Sequence, residues 1–264
     1  MTGTYEYDDE ARKLIETRFL ESLRWHLAGW RQKVEHDFSK GAFTKEIQDL
    51  QSDAVYRDFG FARAEYVLVR LMGRMSISIG RRLGEMYDKL PRLVAAARFG
   101  LSPPDVVECF DGLELDVAIR RGLMSPTDQR HFDEVTQAWF SASAPTQSLA
   151  IEIRYNFNPN DSARLRKDIR MAELVRAAGF FPLYLVFSGI SPRRDAIGRL
   201  TRAGWHFLVA AQATAFMRDL LNIDIMDILQ RPAVQAELRE EVDTLMRTIF
   251  TSFAFRQAAT AYFS

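Results

Sequence analysis

The chain has 264 residues, enough for one large domain or two small ones, and its 47% hydrophobic and 27% charged residues exclude disordered, collagen-like and coiled-coil classes. Thirty-five basic residues balance 35 acidic ones, which excludes a histone-like mode of nucleic-acid binding but leaves room for a local basic patch. A single cysteine, Cys109, excludes an intramolecular disulfide, and His26, His36, His131 and His206 show no metal-ligand spacing.

The opening MTGTYEYDDEARK is acidic and has no apolar stretch, so no signal peptide is expected. The longest apolar run, Phe180 to Ile190, contains Pro182 and Gly189 and is too short to span a bilayer. The expectation is a soluble cytoplasmic protein with no membrane partner.

In chain order, residues 9–35 read as a helix, with Leu14, Phe19, Leu20, Leu23, Leu27 and Trp30 at helical spacing. From Phe38 to Phe61 the pattern is broken and polar. Residues 62–98 return to a helical pattern, open to interruption at Gly73 and Gly80, and Pro91 is expected to end or bend it. LELDVAI, Leu113 to Ile119, alternates as a strand does, and residues 123–137 read as a polar loop with a short helix. AIEIRYNF, Ala150 to Phe157, is a second alternating strand. NPND follows with turn chemistry and a candidate cap at Asn160 or Asp161. Residues 162–178 place Leu165, Ile169, Ala172 and Val175 on one stripe of a helix that Gly179 stops. PLYLVFS is a continuous apolar run, as in a buried central strand. Ser191 and Pro192 open another helix, Trp205 to Val209 is a last strand, and helices near 211–222 and 233–250 close the chain.

The first two strands should be antiparallel neighbours, and the strand–helix–strand unit after them needs a parallel crossover. The predicted fold is α/β, a mixed central sheet flanked by helices with a helical N-terminal part. It is read as one domain: residues 1–100 mainly helical, 105–225 the α/β core, 226–264 C-terminal helices.

Chemistry concentrates on the first two strands. Alternation puts Asp116 on the face opposite Leu113 and Leu115, with Glu114 on its own side. Glu152 and Arg154, two apart, share a face of the next strand. Two carboxylates can hold Mg²⁺, a hard ion that prefers oxygen ligands. The ion lowers the pKa of a bound water and neutralises charge developing on a phosphate. The cation two residues on is usually lysine. Arg154 can stabilise charge but cannot act as a base, so Lys167 in the following helix is a second candidate. Upstream, SISIGRRLGEMYDKLP carries an apolar stripe of Ile79, Leu83, Met86 and Leu90, with Ser78, Arg81, Arg82 and Glu85 on the far side. Glu85 could add a carboxylate, and the arginines could clamp a phosphate.

Charge is segregated. Phe61 to Pro104 holds eight basic and three acidic residues, Asp161 to Gly204 nine and four, and Asp219 to Met246 two and seven. Basic stretches neutralise phosphates and release counterions. Asn156, Asn158 and Asn160, interleaved with Arg154, Arg164 and Arg166 and followed by Arg193 and Arg194, add groups able to bond phosphates or bases.

The runs GLELDVAIRRG, IEIRYNFNPNDSARLRKDIRMAELVRAAGFFPLYLVFSGISPR and SIGRRLGEMYDKLP resemble the ApaLI-like type II restriction endonucleases, over roughly residues 70–255. Such enzymes are similar to the wider PD-(D/E)xK nuclease superfamily. The resemblance implies a homodimer that cuts both strands of a short palindromic site in double-stranded DNA with Mg²⁺. It implies Asp116 and Glu152 as metal ligands and puts Arg154 where the lysine normally stands. The competing readings are a repair or other nuclease of the same core, and a non-catalytic α/β DNA-binding module. The aromatics Trp25, Trp30, Phe250, Phe253 and Phe255 are the candidates for a helical dimer surface.

Overall fold

The structure, a computed structural model, describes residues 6–141, 148–155, 162–189 and 194–263. Four helices come first: α1 (Asp9–Asp37), α2 (Lys40–Ser52), α3 (Ala54–Asp58) and α4 (Ala64–Phe99). Three short strands follow, β1 (Glu108–Phe110), β2 (Leu113–Leu115) and β3 (Val117–Ile119). Then come α5 (Pro126–Phe140), β4 (Leu149–Arg154), α6 (Ser162–Ala177), β5 (Phe181–Val186), α7 (Arg194–Ala203) and β6 (His206–Val209). The chain closes with α8 (Ala211–Leu221), α9 (Ile225–Gln230), α10 (Pro232–Phe250) and α11 (Phe253–Phe263). The class is α/β and mostly helical, with a small mixed sheet of four strands flanked by helices. Among the described residues no helix is long and apolar enough to cross a membrane.

The contacts of the chain group into two compact units, Met1–Phe19 with Leu83–Leu229, and Leu20–Arg82 with Gln230–Ser264. The first contains the four-stranded sheet, ordered β3-β4-β5-β6. β3 runs antiparallel to β4, with Val117 opposite Ile151. β4, β5 and β6 are parallel, with Glu152 opposite Tyr184 and Tyr184 opposite Phe207. All six residues of β5 are buried, because a parallel strand has crossover helices over its faces. On one face Ala118, Ala150, Tyr184 and Val186 meet Met171, Ala172 and Val175 of α6 and Ala196 and Leu200 of α7. On the other, Phe140 of α5 lies 4.9 Å from the Phe181 ring and 5.5 Å from Phe216 of α8. Leu183 and Leu185 are fully buried, and each such side chain is worth about 1.5–3 kcal/mol relative to exposure.

The second unit is helical. Leu23, Leu27 and Val34 of α1, Leu50 of α2, Val67 and Leu71 of α4, and Leu245 and Ile249 of α10 are buried in it. The Phe253 ring stands edge-on to Phe43 at 5.6 Å. Arg24 and Glu237 form a two-pronged surface pair at 2.7 and 3.0 Å.

Several elements depart from the sequence reading. The polar stretch after Phe38 forms α2 and α3. Ser39 accepts the Ala42 N–H at 3.2 Å and Asp53 accepts the Val55 N–H at 2.9 Å, so caps rather than a broad apolar stripe set these helices. Pro91 does not end α4, which continues to Phe99 with Leu90, Val94, Ala95 and Phe99 buried. Burial of that face outweighs the hydrogen bond that proline removes. Residues 123–137 are mostly the 15-residue helix α5, opened by Ser125 as cap and Pro126 at its first position. The single strand expected over 113–119 is divided at Asp116. Gly179 takes the left-handed conformation expected of it, with φ +79°. The expected caps at Asn160, Asp161 and Ser191 lie outside the described residues.

Candidate active site

The division of the 113–119 strand builds the site. β2 pairs with β1 in a separate two-stranded sheet, and β3 pairs with β4. The residue between them is Asp116. Arg92, on α4, fixes the break: its Nε donates to the Asp116 main-chain carbonyl, and Nη2 donates to the Leu115 carbonyl at 3.2 Å. Its Nη1 pairs with Glu114 at 2.8 Å. Two ladder carbonyls are thus held by a side chain. The Asp116 carboxylate takes over as acceptor on the far side, where the Ile153 N–H of β4 donates to Oδ2 at 2.7 Å. The break also lets Leu115 and Ala118, three apart, join one core cluster, which strict alternation forbids.

On β4, Glu152 and Arg154 share the face that α6 covers, as alternation predicts. Arg154 Nη1 donates to Asp116 Oδ2 at 3.0 Å and to the Ile153 carbonyl, while Nη2 pairs with Glu152 Oε1. The second carboxylate oxygen, Glu152 Oε2, is buried and makes no hydrogen bond among the described residues, and neither does Arg154 Nε.

A third acid completes the cluster. Asp168 of α6 is buried, with Oδ1 at 3.9 Å from Arg154 Nη2. The buried Tyr184 hydroxyl donates to Asp168 Oδ2 at 3.0 Å, and the Trp205 indole N–H donates to the Asp168 main-chain carbonyl at 2.7 Å. The Arg154 guanidinium lies 5.8 Å from the centre of the Tyr184 ring, within cation–π range.

Three carboxylates therefore surround one guanidinium, with Arg92 Nη2 3.7 Å from Asp116. Burial dominates the electrostatics of the cluster. Burial, then the Asp116 charge, pushes the Glu152 carboxyl well above the usual carboxylate range, against the pull of Arg154. Burial raises Asp168 too, opposed by Arg154 and the Tyr184 hydrogen bond. Burial keeps the Tyr184 phenol protonated. Burial works against the Arg154 charge, but Glu152, Tyr184, Asp116 and Asp168 together hold its proton more firmly than usual.

Above the cluster is a cleft of about 360 Å³, with Glu152, Arg154 and Asp168 among the residues lining it and Arg164, Lys167 and Glu114 also on its walls. Arg164 and Lys167 are exposed on α6, as is Arg166. Asp116 and Glu152 suit a divalent ion. Asp116 sits in the bend before β3 and Glu152 on the adjacent β4, and Glu152 has a buried oxygen with no partner among the described residues. Mg²⁺ is commonly held by one or two carboxylates and keeps several waters, so these two acids suffice. Among the described residues no group of three or more His, Cys, Asp or Glu side chains has a metal-holding arrangement.

The other candidates are distributed as follows. Glu85 lies on α4 seven residues, about two turns, before Arg92 and therefore on a similar face. It is Arg92 that α4 sends to Asp116. Arg82 packs its guanidinium against Gly29 of α1 and lies 5.9 Å over the Trp25 ring. Arg81 is exposed. Asn156, Asn158, Asn160 and Arg193 lie outside the described residues, as does the Arg194 side chain.

Sequence reasoning missed Arg92, Asp168 and Tyr184. Asp168 had a signal: it interrupts the apolar stripe of α6 three residues after Leu165 and four before Ala172, so a carboxylate faces the core. Tyr184, the one hydroxyl inside PLYLV, had a weaker one. Nothing local distinguishes Arg92.

Both nitrogens of the Arg154 fork are spent on acids, so its main effect is to hold Asp116 and Glu152 in place. Under the nuclease reading that the sequence suggests, loss of the charge in Arg154→Ala is expected to slow Mg²⁺-dependent cleavage at least as much as Lys167→Ala. Arg154→Lys is expected to keep part of the rate, because charge survives while the second prong is lost. Single-turnover rates of the three variants on duplex DNA check this. An intact rate in Arg154→Ala beside a dead Lys167→Ala would reverse the assignment.

Comparison of the chain with protein-family models, curated proteins and solved structures gives no match.

Proposed function

We propose that the protein is a Mg²⁺-dependent endonuclease acting on double-stranded DNA, of the ApaLI-like type II restriction kind that its sequence resembles. The observation that carries the reading is the meeting of Asp116, in the bend before β3, and Glu152, on β4, at the Arg154 guanidinium, with Glu152 and Arg154 lining a cleft also walled by Lys167 and Arg164. An acidic floor with a basic rim is what a phosphodiester and its counter-cation require together.

When bound by Asp116 and Glu152, a divalent ion supplies an activated water and offsets charge on the phosphate. The chain's own residues do the rest. Arg154 and the Ile153 N–H orient the two acids, and Arg92 locks the bend that presents Asp116. Lys167 and Arg164 bind phosphate oxygens from the cleft wall, as point charge and fork respectively. Burial excludes water from Glu152 and Asp168, which strengthens each electrostatic contact there.

The experiment is incubation with plasmid DNA and Mg²⁺. Discrete fragments that vanish with EDTA support a site-specific enzyme. Activity confined to ends or flaps supports a repair nuclease. Binding without any cleavage leaves the DNA-binding module.

A palindrome has two equivalent halves, so the reading includes a two-fold homodimer. Of the aromatics expected at its surface, Trp25 and Phe250 are exposed, at 65% and 52%, while Trp30 is buried and Phe253 packs on Phe43. Sedimentation at micromolar concentration is expected to give a dimer of the 30.3 kDa chain. A monomer both with and without DNA contradicts it.

A further inference from the structure

We infer that Asp168 is a positioning residue for Arg154, and that Tyr184 is what holds Asp168 to that task. The inference rests on the nuclease reading only for its kinetic consequence.

Asp168 is tied at both ends. Its main-chain carbonyl accepts from the Trp205 indole at 2.7 Å and its Oδ2 accepts from the Tyr184 hydroxyl at 3.0 Å, which leaves Oδ1 turned toward Arg154 Nη2 at 3.9 Å. Tyr184 is itself fixed, stacked on Phe207 at 4.7 Å and edge-on to Trp205 at 5.4 Å. Five restraints therefore act on one guanidinium: Asp116, Glu152 and the Ile153 carbonyl through the fork, the Asp168 charge, and the Tyr184 ring at 5.8 Å. Asp168 is the only one of these carboxylates carried by a helix rather than by the strands that carry the acids themselves.

The chemistry explains the need. Arginine at 154 has a long stem and a buried Nε with no partner. Asp116, Glu152 and the Ile153 carbonyl all engage the two Nη atoms from the sheet. Asp168 adds an anion from the helix side, next to the nitrogen that pairs with Glu152. Asp168 and Arg154 thus meet between helix and strand, while Lys167, next to Asp168 in sequence, is exposed on the cleft wall.

The test reads the guanidinium directly. In protein labelled with ¹⁵N-arginine, the Arg154 Nε–H resonance, identified by its disappearance in Arg154→Lys, reports exchange with water. Asp168→Asn is expected to speed that exchange about tenfold or more, and Tyr184→Phe to speed it in the same direction by less. Glu173→Gln, exposed on the same helix, should leave it unchanged. Cleavage by Asp168→Asn should show kcat lowered about tenfold with KM for DNA unaltered. An unchanged Arg154 signal in folded Asp168→Asn overturns the inference. If that variant does not fold, an unchanged signal in Tyr184→Phe, which keeps the ring and the packing, overturns it equally. A shifted signal in a protein that never cleaves DNA leaves the inference standing and removes the nuclease reading.

Discussion

Asp116→Asn and Glu152→Gln are each expected to lose about 10²-fold or more of Mg²⁺-dependent cleavage. Both substitutions keep size and shape in a crowded cluster, so the loss reports charge rather than a cavity. On the proposed reading each removes the charge of one of the two carboxylates that would hold the ion. Asp116→Asn also removes the charge that helps push the Glu152 carboxyl upward, so Glu152 should titrate nearer the ordinary carboxylate range. Single-turnover cleavage of a duplex at saturating enzyme is the measurement. Wild-type rates in both variants would remove the proposed site.

The second large effect concerns binding. Affinity for DNA is expected to fall about 10³–10⁵-fold between 50 and 200 mM salt, the range for six to ten neutralised phosphates. Zero net charge suggests otherwise, but the charge is unevenly placed. Arg164, Arg166, Lys167, Arg170 and Arg176 are all exposed along α6. Arg170 pairs with Asp111, and a surface pair of that kind yields readily to a phosphate. With Ca²⁺ in place of Mg²⁺ to separate binding from cleavage, a flat salt response contradicts the expectation.

How much of this was legible depends on how local each signal is. β4, α6 and β5 follow from LAIEIR, from the stripe Leu165–Ile169–Ala172–Val175 and from the apolar run ending at Val186. Each carries its own period and needs no partner to be read. The parallel continuation of the sheet follows from its strand–helix–strand connections, whereas the connection from β3 to β4, which contains α5, is long enough for either direction. α2 was illegible because only Phe43 and Leu50 of its residues are buried, too few to show a period. Pro91 misled because the cost of a missing N–H is local, whereas the burial of Leu90, Val94 and Phe99 that offsets it is not. The division of β2 from β3 could not be read either, since its cause, Arg92, lies 24 residues upstream of Asp116. The same holds within the site. Asp116, Glu152 and Arg154 are found from alternation on two strands, while Tyr184 and Asp168 join them only through the crossover of α6.

The bend at Asp116 has a consequence for what can be changed there. Its carboxylate serves as a rung of the sheet, accepting a main-chain N–H that a strand carbonyl would otherwise take. Replacing it by alanine strands that donor, and an orphaned buried N–H costs about 1–3 kcal/mol. Asparagine can still offer an oxygen, and glutamate must fit one extra methylene into the same gap. Glu152 has a different duty: its Oε1 is paired with the buried Arg154 guanidinium, and removing it takes away one of that charge's partners. Two acids that look equivalent as ligands are therefore unequal as targets: a change at position 152 disturbs a buried ion pair, whereas a change at position 116 also disturbs the hydrogen bonding of the sheet.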